Sequence, residues 1–296
     1  MPEPQLIFDL ADLHLNSPFG FVSGPASAMG YAYHARPNPN HDGYHGTEST
    51  CQLIRLQDLR TAGLEPTLDI EGFTYVSGRH IPENLSKDGY QELVEADSVA
   101  LVKNLTGATS AIVFDTTFRG NFDSESRKIV PIIHSGMSPE GAKILKEHFQ
   151  DQWLNLGDTE MIQFGKYLEK NKDCAIVNVW RPIQTVENNP LGLCKWNSLA
   201  EEDVLDFGVK PQSASTTVQP WEYKAHQEWF YLSEQKPDEA YVFMQHDSRA
   251  KDGHGINVPH ASFRMKDDNP ESHTRQKTHK GNKDIQNILN SSKQAA

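Results

Sequence analysis

The chain lacks any apolar run approaching the ~20 residues that a membrane-spanning helix needs. Its opening Met-Pro-Glu-Pro-Gln leads into no basic and then apolar segment, so neither a membrane span nor a secretion signal is expected. Positive charge is also short. The formal net charge is −12, and a surface of that sign repels phosphate, which argues against a nucleic-acid binder. Only three cysteines occur, Cys51, Cys174 and Cys194, an odd number without metal-type spacing. They read as reduced thiols of a cytoplasmic protein, and the glycosylation sequons at Asn84 and Asn104 read as chance matches. Also missing are the Gly-Xaa-Ser-Xaa-Gly turn of a serine hydrolase, a phosphate-binding glycine loop and a dinucleotide fingerprint.

What is present suffices for one large domain. The 296 residues are 37% hydrophobic, above the disordered range, with five Trp and nine Tyr to pack an interior. Residues 1–50, rich in Pro, Gly, His and Asn, are expected to form an irregular arm laid over the domain. Residues 51–265 read as a single domain and the polar residues 266–296 as a loose tail. Strands are predicted at Cys51–Arg60, Pro66–Tyr75, Ser110–Asp115, Lys128–His134 and, most strongly, Cys174–Trp180. Glu228–Leu232 and Glu239–Met244 read as a further pair joined by a Gln-Lys-Pro-Asp turn. Leu93, Val94, Leu101 and Val102 at helical spacing predict a helix stopped by Gly107, and Ser138 and Pro139 open another. The pattern is α+β, an antiparallel sandwich with flanking, mostly N-terminal helices.

Two of the 13 histidines carry the chemistry considered first. His134 follows the β-branched run Val-Pro-Ile-Ile, and His260 sits far downstream in Asn-Val-Pro-His-Ala-Ser-Phe, each at a strand edge. Mononuclear iron oxygenases hold ferrous iron by one face with two imidazoles and a carboxylate. The other positions stay open for a chelating keto acid and dioxygen. The carboxylate normally lies two residues after the first histidine, and that position here is Gly136. Alone, such a pair is a weak signal.

Several blocks add to it. Asn178-Val-Trp-Arg-Pro-Ile183 and Asn189-Pro-Leu-Gly-Leu-Cys194 are followed by His226-Gln-Glu-Trp-Phe-Tyr-Leu-Ser233 and Gln235-Lys-Pro-Asp-Glu239. His246-Asp-Ser248 and Pro259-His-Ala-Ser-Phe263 come next. Upstream stand Asp58-Leu-Arg60, Leu68-Asp69, Gly72-Phe73, Leu105-Thr-Gly107 and Val113-Phe-Asp115. In this order the blocks resemble the fungal and bacterial hydroxylase/desaturase-like family, which includes a gibberellin desaturase and a cephamycin methoxylation accessory protein. The resemblance covers roughly residues 45–265. It implies a double-stranded β-helix (jelly roll) and a non-haem Fe(II), 2-oxoglutarate-dependent oxygenase of secondary metabolism. The implied reaction is hydroxylation, desaturation or oxidative cyclisation of a small-molecule metabolite, and the implied metal ligands are His134 and His260.

Two departures from the family pattern define the open questions. Val-His-Xaa-Asp is replaced by Ile133-His-Ser-Gly136. The final Pro-Arg-Glu-Ser strand is represented only by Pro270-Glu-Ser-His-Thr-Arg275. Arg275, Arg264 and Arg181 are the candidates to clamp the 2-oxoglutarate carboxylate. Three arrangements are compatible with the glycine. The two histidines can hold iron with water or halide in the gap, as in a halogenase. Another residue can stand in, with His226, Asp247 and Asp115 as alternates or supporting groups. Or the protein is a pseudo-oxygenase or accessory protein acting beside a partner enzyme. Trp180, Trp229 and Tyr231 are expected to wall the substrate pocket, and Trp196 and Trp221 read as core or wall residues. A homodimer is an open expectation.

Overall fold

Cys174-Ala-Ile-Val-Asn-Val-Trp180 is apolar on both faces, and a strand of that kind is stable only where both faces are covered. The computed structural model describes residues 5–13, 27–37, 47–82, 85–118, 132–156, 158–170, 172–205 and 218–266, the first segment as backbone. In it β1 (Gln5–Leu13), β4 (Phe73–Val76), β5 (Ser110–Phe118), β7 (Cys174–Trp180) and β11 (Ala240–Asp247) form a five-stranded sheet in the order β4-β11-β7-β1-β5. A second sheet of eight strands is built from β2 (Ser27–Pro37), β3 (Thr47–Asp58), β6 (His134–Ser135), β8 (Leu191–Cys194), β9 (Gln219–Pro220), β10 (Trp229–Tyr231), β12 (His260–Ser262) and β13 (Arg264–Met265). Its order is β13-β2-β3-β10-β8-β12-β6-β9.

The described residues also include three α-helices: α1 (Lys87–Thr106), α2 (Pro139–Leu156) and α3 (Thr159–Glu169). The Ser86 hydroxyl accepts the Gly89 N–H at the start of α1, and Gly107 at φ 69° closes its end with an N–H donated to the Lys103 carbonyl. Val94, Leu101 and Val102 of α1 pack on Ala175, Val177 and Val179, one face of β7. On the other face, Cys174 and Ile176 lie under Leu145, Phe149 and Trp153 of α2 and Phe164 of α3. Trp180 continues that face into the layer between the sheets, with Phe73, Tyr241 and Phe243 from one sheet and Leu191, Leu193 and Phe230 from the other.

Several expectations are corrected here. Residues 5–13 and 27–37 are strands rather than an irregular arm: β1 lies between β5 and β7, parallel to both, and β2 pairs along its length with β3. The alternation of Leu6, Phe8 and Leu10 fits such a strand, but the surrounding Pro and Gly obscured it. The sheets are mixed, since β10 also runs parallel to β3. Residues 228–232 and 239–244 do not form a hairpin. β10 pairs with β3 and β8 while β11 pairs with β4 and β7, so the Gln-Lys-Pro-Asp turn passes from one sheet to the other. Arg60 locks that crossing through two hydrogen bonds to the Glu239 carboxylate, at 2.9 and 2.7 Å, and one to the Ser233 carbonyl. Of the strand expected over 66–75, only its last residues belong to β4. α3 is an addition that its short, mixed sequence did not announce. The expected tail lies outside the described residues beyond 266.

Candidate metal centre

The first histidine is positioned by its neighbours. Ile133 and Ser135 are wholly buried on one face, with the Ser135 hydroxyl accepting the Trp221 indole N–H at 2.8 Å. The Ile133 N–H is donated to the Tyr33 carbonyl of β2. His134 therefore presents its ring to the opposite face. There β6 meets β12 with His134 and His260 as direct cross-strand partners, an arrangement that puts both side chains on one face. The two rings lie 4.4 Å apart between centroids at an interplanar angle of 54°. His260 is buried and leans on Phe243 of β11 at 4.9 Å.

The hydrogen bonds of both imidazoles have the same sense. Nδ1 of His134 lies 2.7 Å from the Ile132 carbonyl, and Nδ1 of His260 lies 3.0 Å from the Val258 carbonyl. A carbonyl can only accept, so each Nδ1 carries a proton, and in the neutral ring Nε2 is then the nitrogen with the lone pair. That is how main-chain carbonyls prepare imidazoles for a metal.

No third protein ligand comes with the pair: among the described residues, no group of three or more His, Cys, Asp or Glu is placed to hold a metal ion. Each alternate has another partner. His226 Nε2 is 2.9 Å from the buried Asp203 carboxylate, which Gln227 also engages. Asp247 is held by Arg249 through Nε and Nη2, and burial, which acts to raise its carboxyl, is outweighed by those bonds, which hold it low. Asp115 accepts from Thr117 on β5.

Other expected site residues also lie elsewhere. Arg181 is buried and bonded to Asp97 of α1 and to the Arg79 carbonyl, so its guanidinium is consumed in an ion-pair network. Arg264 lies over the Tyr31 ring at 5.1 Å, and Arg275 lies outside the described residues. Trp180, Trp229 and Tyr231, expected to wall the pocket, are buried in the core clusters. Trp180 packs on Tyr241, and Trp229 packs on Phe263 in the cluster that also holds Tyr231. Their aromatic area is spent on joining strands.

Two groups escaped the sequence reading. Gln245 is fully buried beside Gly136, whose N–H it accepts. The signal was a large amide within an apolar strand, where every polar atom requires a partner. Beyond it, the Lys146 ammonium lies 3.2 Å from His246 Nε2, and His246 Nδ1 lies 3.0 Å from His254 Nδ1. Burial, then the Lys146 charge and His254, push His246 down to about 3. Burial likewise brings His254 to about 4, against the opposing charge of Asp252.

Comparison with known proteins bears on the family and the fold. A family model described as "YDMC: Oxidoreductase/YMDC permease-like domain" matches residues 19–278. An alpha-ketoglutarate-dependent dioxygenase, phiK, of a fungal species is 25% identical over 228 residues, covering 71% of this chain and 75% of the relative. The hydroxylase/desaturase efuI of Hormonema carpetanum is 24% identical over 254 residues, covering 74% and 81%. Among solved structures, the iron and alpha-ketoglutarate-dependent endoperoxidase NvfI superposes with a TM-score of 0.64 at 18% identity, over 84% of this chain and 94% of that one. The last likeness is one of fold, and the fold is the jelly roll of iron and 2-oxoglutarate oxygenases.

Proposed function

The chain belongs to the oxidoreductase/YMDC permease-like domain family, and on that premise we propose that it is a non-haem Fe(II), 2-oxoglutarate-dependent oxygenase of a small-molecule metabolite. The observation that carries the reading is the cross-strand pair His134 and His260, their rings adjacent and each with its Nδ1–H donated to a main-chain carbonyl. The names of the relatives, dioxygenase and hydroxylase/desaturase, support the same chemistry. They do not favour an accessory role.

The residues present fit a metal that takes imidazole nitrogen, with the rest of its coordination supplied from outside the protein. A bound iron supplies activation of dioxygen at the expense of 2-oxoglutarate, with succinate and carbon dioxide as co-products. The chain's own part is orientation. Ile132 and Val258 fix both imidazole tautomers, and Phe243 supports the His260 ring and keeps water from that side. Arg275 keeps the assignment to the co-substrate carboxylate, because Arg181 and Arg264 are engaged elsewhere. A cytoplasmic setting, in keeping with the free cysteines, belongs to the same proposal. The described residues include no helix long and apolar enough to cross a membrane.

The test is succinate formation by protein purified without oxygen and supplied with ferrous iron, 2-oxoglutarate and then air. Wild type is expected to form succinate, and His134→Ala or a chelator to abolish it. Succinate formation indifferent to both would refute the reading.

A further inference from the structure

The place of the missing carboxylate is filled. A Cβ on residue 136 would lie 2.6 Å from Gln245 Oε1 and 3.3 Å from its Cδ, inside the contact distance of real side chains. A flexible surface glutamine would step aside. Gln245 is fully buried and tied at both ends of its carboxamide. Its Nε2 donates to the Met244 carbonyl at 2.8 Å and to the Val258 carbonyl at 3.3 Å, and its Oε1 accepts the Gly136 N–H.

Two of those three partners belong to the segments that carry the histidines. Gly136 follows His134 by two residues, and the Val258 carbonyl is the one that also holds His260 Nδ1. One amide thus joins both ligand-bearing segments. Asn257 makes a parallel tie, donating to the Met137 carbonyl at 2.7 Å. Building on the iron-site reading above, we propose that Gln245 is a positioning residue of the two-histidine centre. Its carboxamide braces both segments and occupies the volume into which a carboxylate at position 136 would extend. Gly136 and Gln245 are then one coupled feature, and restoring the carboxylate alone does not restore a three-ligand site.

A double-mutant cycle tests this. Gly136→Asp, Gln245→Ala, Gln245→Met and the two combinations are made in the full chain. Melting temperature is measured without metal, and ferrous iron affinity is measured anaerobically. Gly136→Asp alone is expected to lower the melting temperature and leave iron affinity no tighter than wild type. Adding Gln245→Ala should relieve the melting defect and tighten iron binding at least about tenfold over Gly136→Asp. Adding Gln245→Met, which keeps the bulk, should relieve neither. Gln245→Met alone should weaken iron binding by about 10–100-fold, the usual cost of losing a group that orients a ligand. Additive melting shifts, or Gly136→Asp alone binding iron as tightly as the double variant, would overturn the proposal. If no variant binds iron but the melting shifts remain coupled, the brace stands and the iron reading falls.

Discussion

Arg181 and Asp97 meet where α1 reaches the end of β7, the guanidinium buried and the carboxylate partly so. Burial acts to push the Asp97 carboxyl up, but Arg79 and Arg181 outweigh it and hold the group below its ordinary 3.8. Removing one partner leaves the other charge poorly solvated. Arg181→Ala is therefore expected to cost about 3 kcal/mol in urea unfolding at neutral pH, and a loss of under ~0.5 kcal/mol, as for a surface pair, would contradict this. Because the folded value lies below the unfolded one, the contribution is present above about pH 4 and is lost as pH falls through the folded value. Arg181 also marks what a sequence hides at this scale. It stands in a recognisable block and is buried in an ion pair, as Trp180, Trp229 and Tyr231 are buried in the core, and burial is not written in a motif. His134 and His260 stand out from the other histidines only through the co-linear blocks of the family resemblance, since a pair among 13 is by itself a weak signal. Gln245 does not stand out, because two of its partners are main-chain groups brought from other segments.

Within elements, β11 combines three tasks along eight residues. Tyr241 and Phe243 build the layer between the sheets, Gln245 reaches Gly136, and His246 enters the chain from Lys146 to His254. Lysine can only donate, so His246 Nε2 accepts and its Nδ1 proton goes to His254. Both rings are held neutral, His246 at about 3 and His254 at about 4 against an ordinary 6.5. In the unfolded chain they protonate near the ordinary value. Stability is therefore full above about pH 6.5 and declines as pH falls from there toward 4. Urea unfolding across that range should have a steeper pH slope for wild type than for His246→Gln/His254→Gln, and equal slopes would contradict the arrangement. The strand itself was readable from its apolar run. Its sheet was not, because periodicity reports which face is buried and never which neighbour is paired, so a turn of hairpin length was read as a hairpin.

At the scale of the whole molecule, two packed sheets gather residues from positions 33 to 260 around one histidine pair. The family resemblance already implied this jelly roll. Its extent was underestimated, because β1 and β2 lie in a stretch whose Pro and Gly masked short alternating runs. The fold explains why the two histidines can stand so far apart in sequence: β6 and β12 become adjacent only when the eight-stranded sheet assembles. It also explains how the pair is held with a glycine at position 136, since β-sheet register and two main-chain carbonyls hold the rings. The most direct test is anaerobic titration of the purified chain with ferrous iron in the presence of 2-oxoglutarate, followed by measurement of bound metal. A single iron per chain is expected for wild type, with none retained by His134→Ala or His260→Ala. Wild type that binds no iron, or histidine variants that bind it equally well, would contradict a two-histidine metal centre.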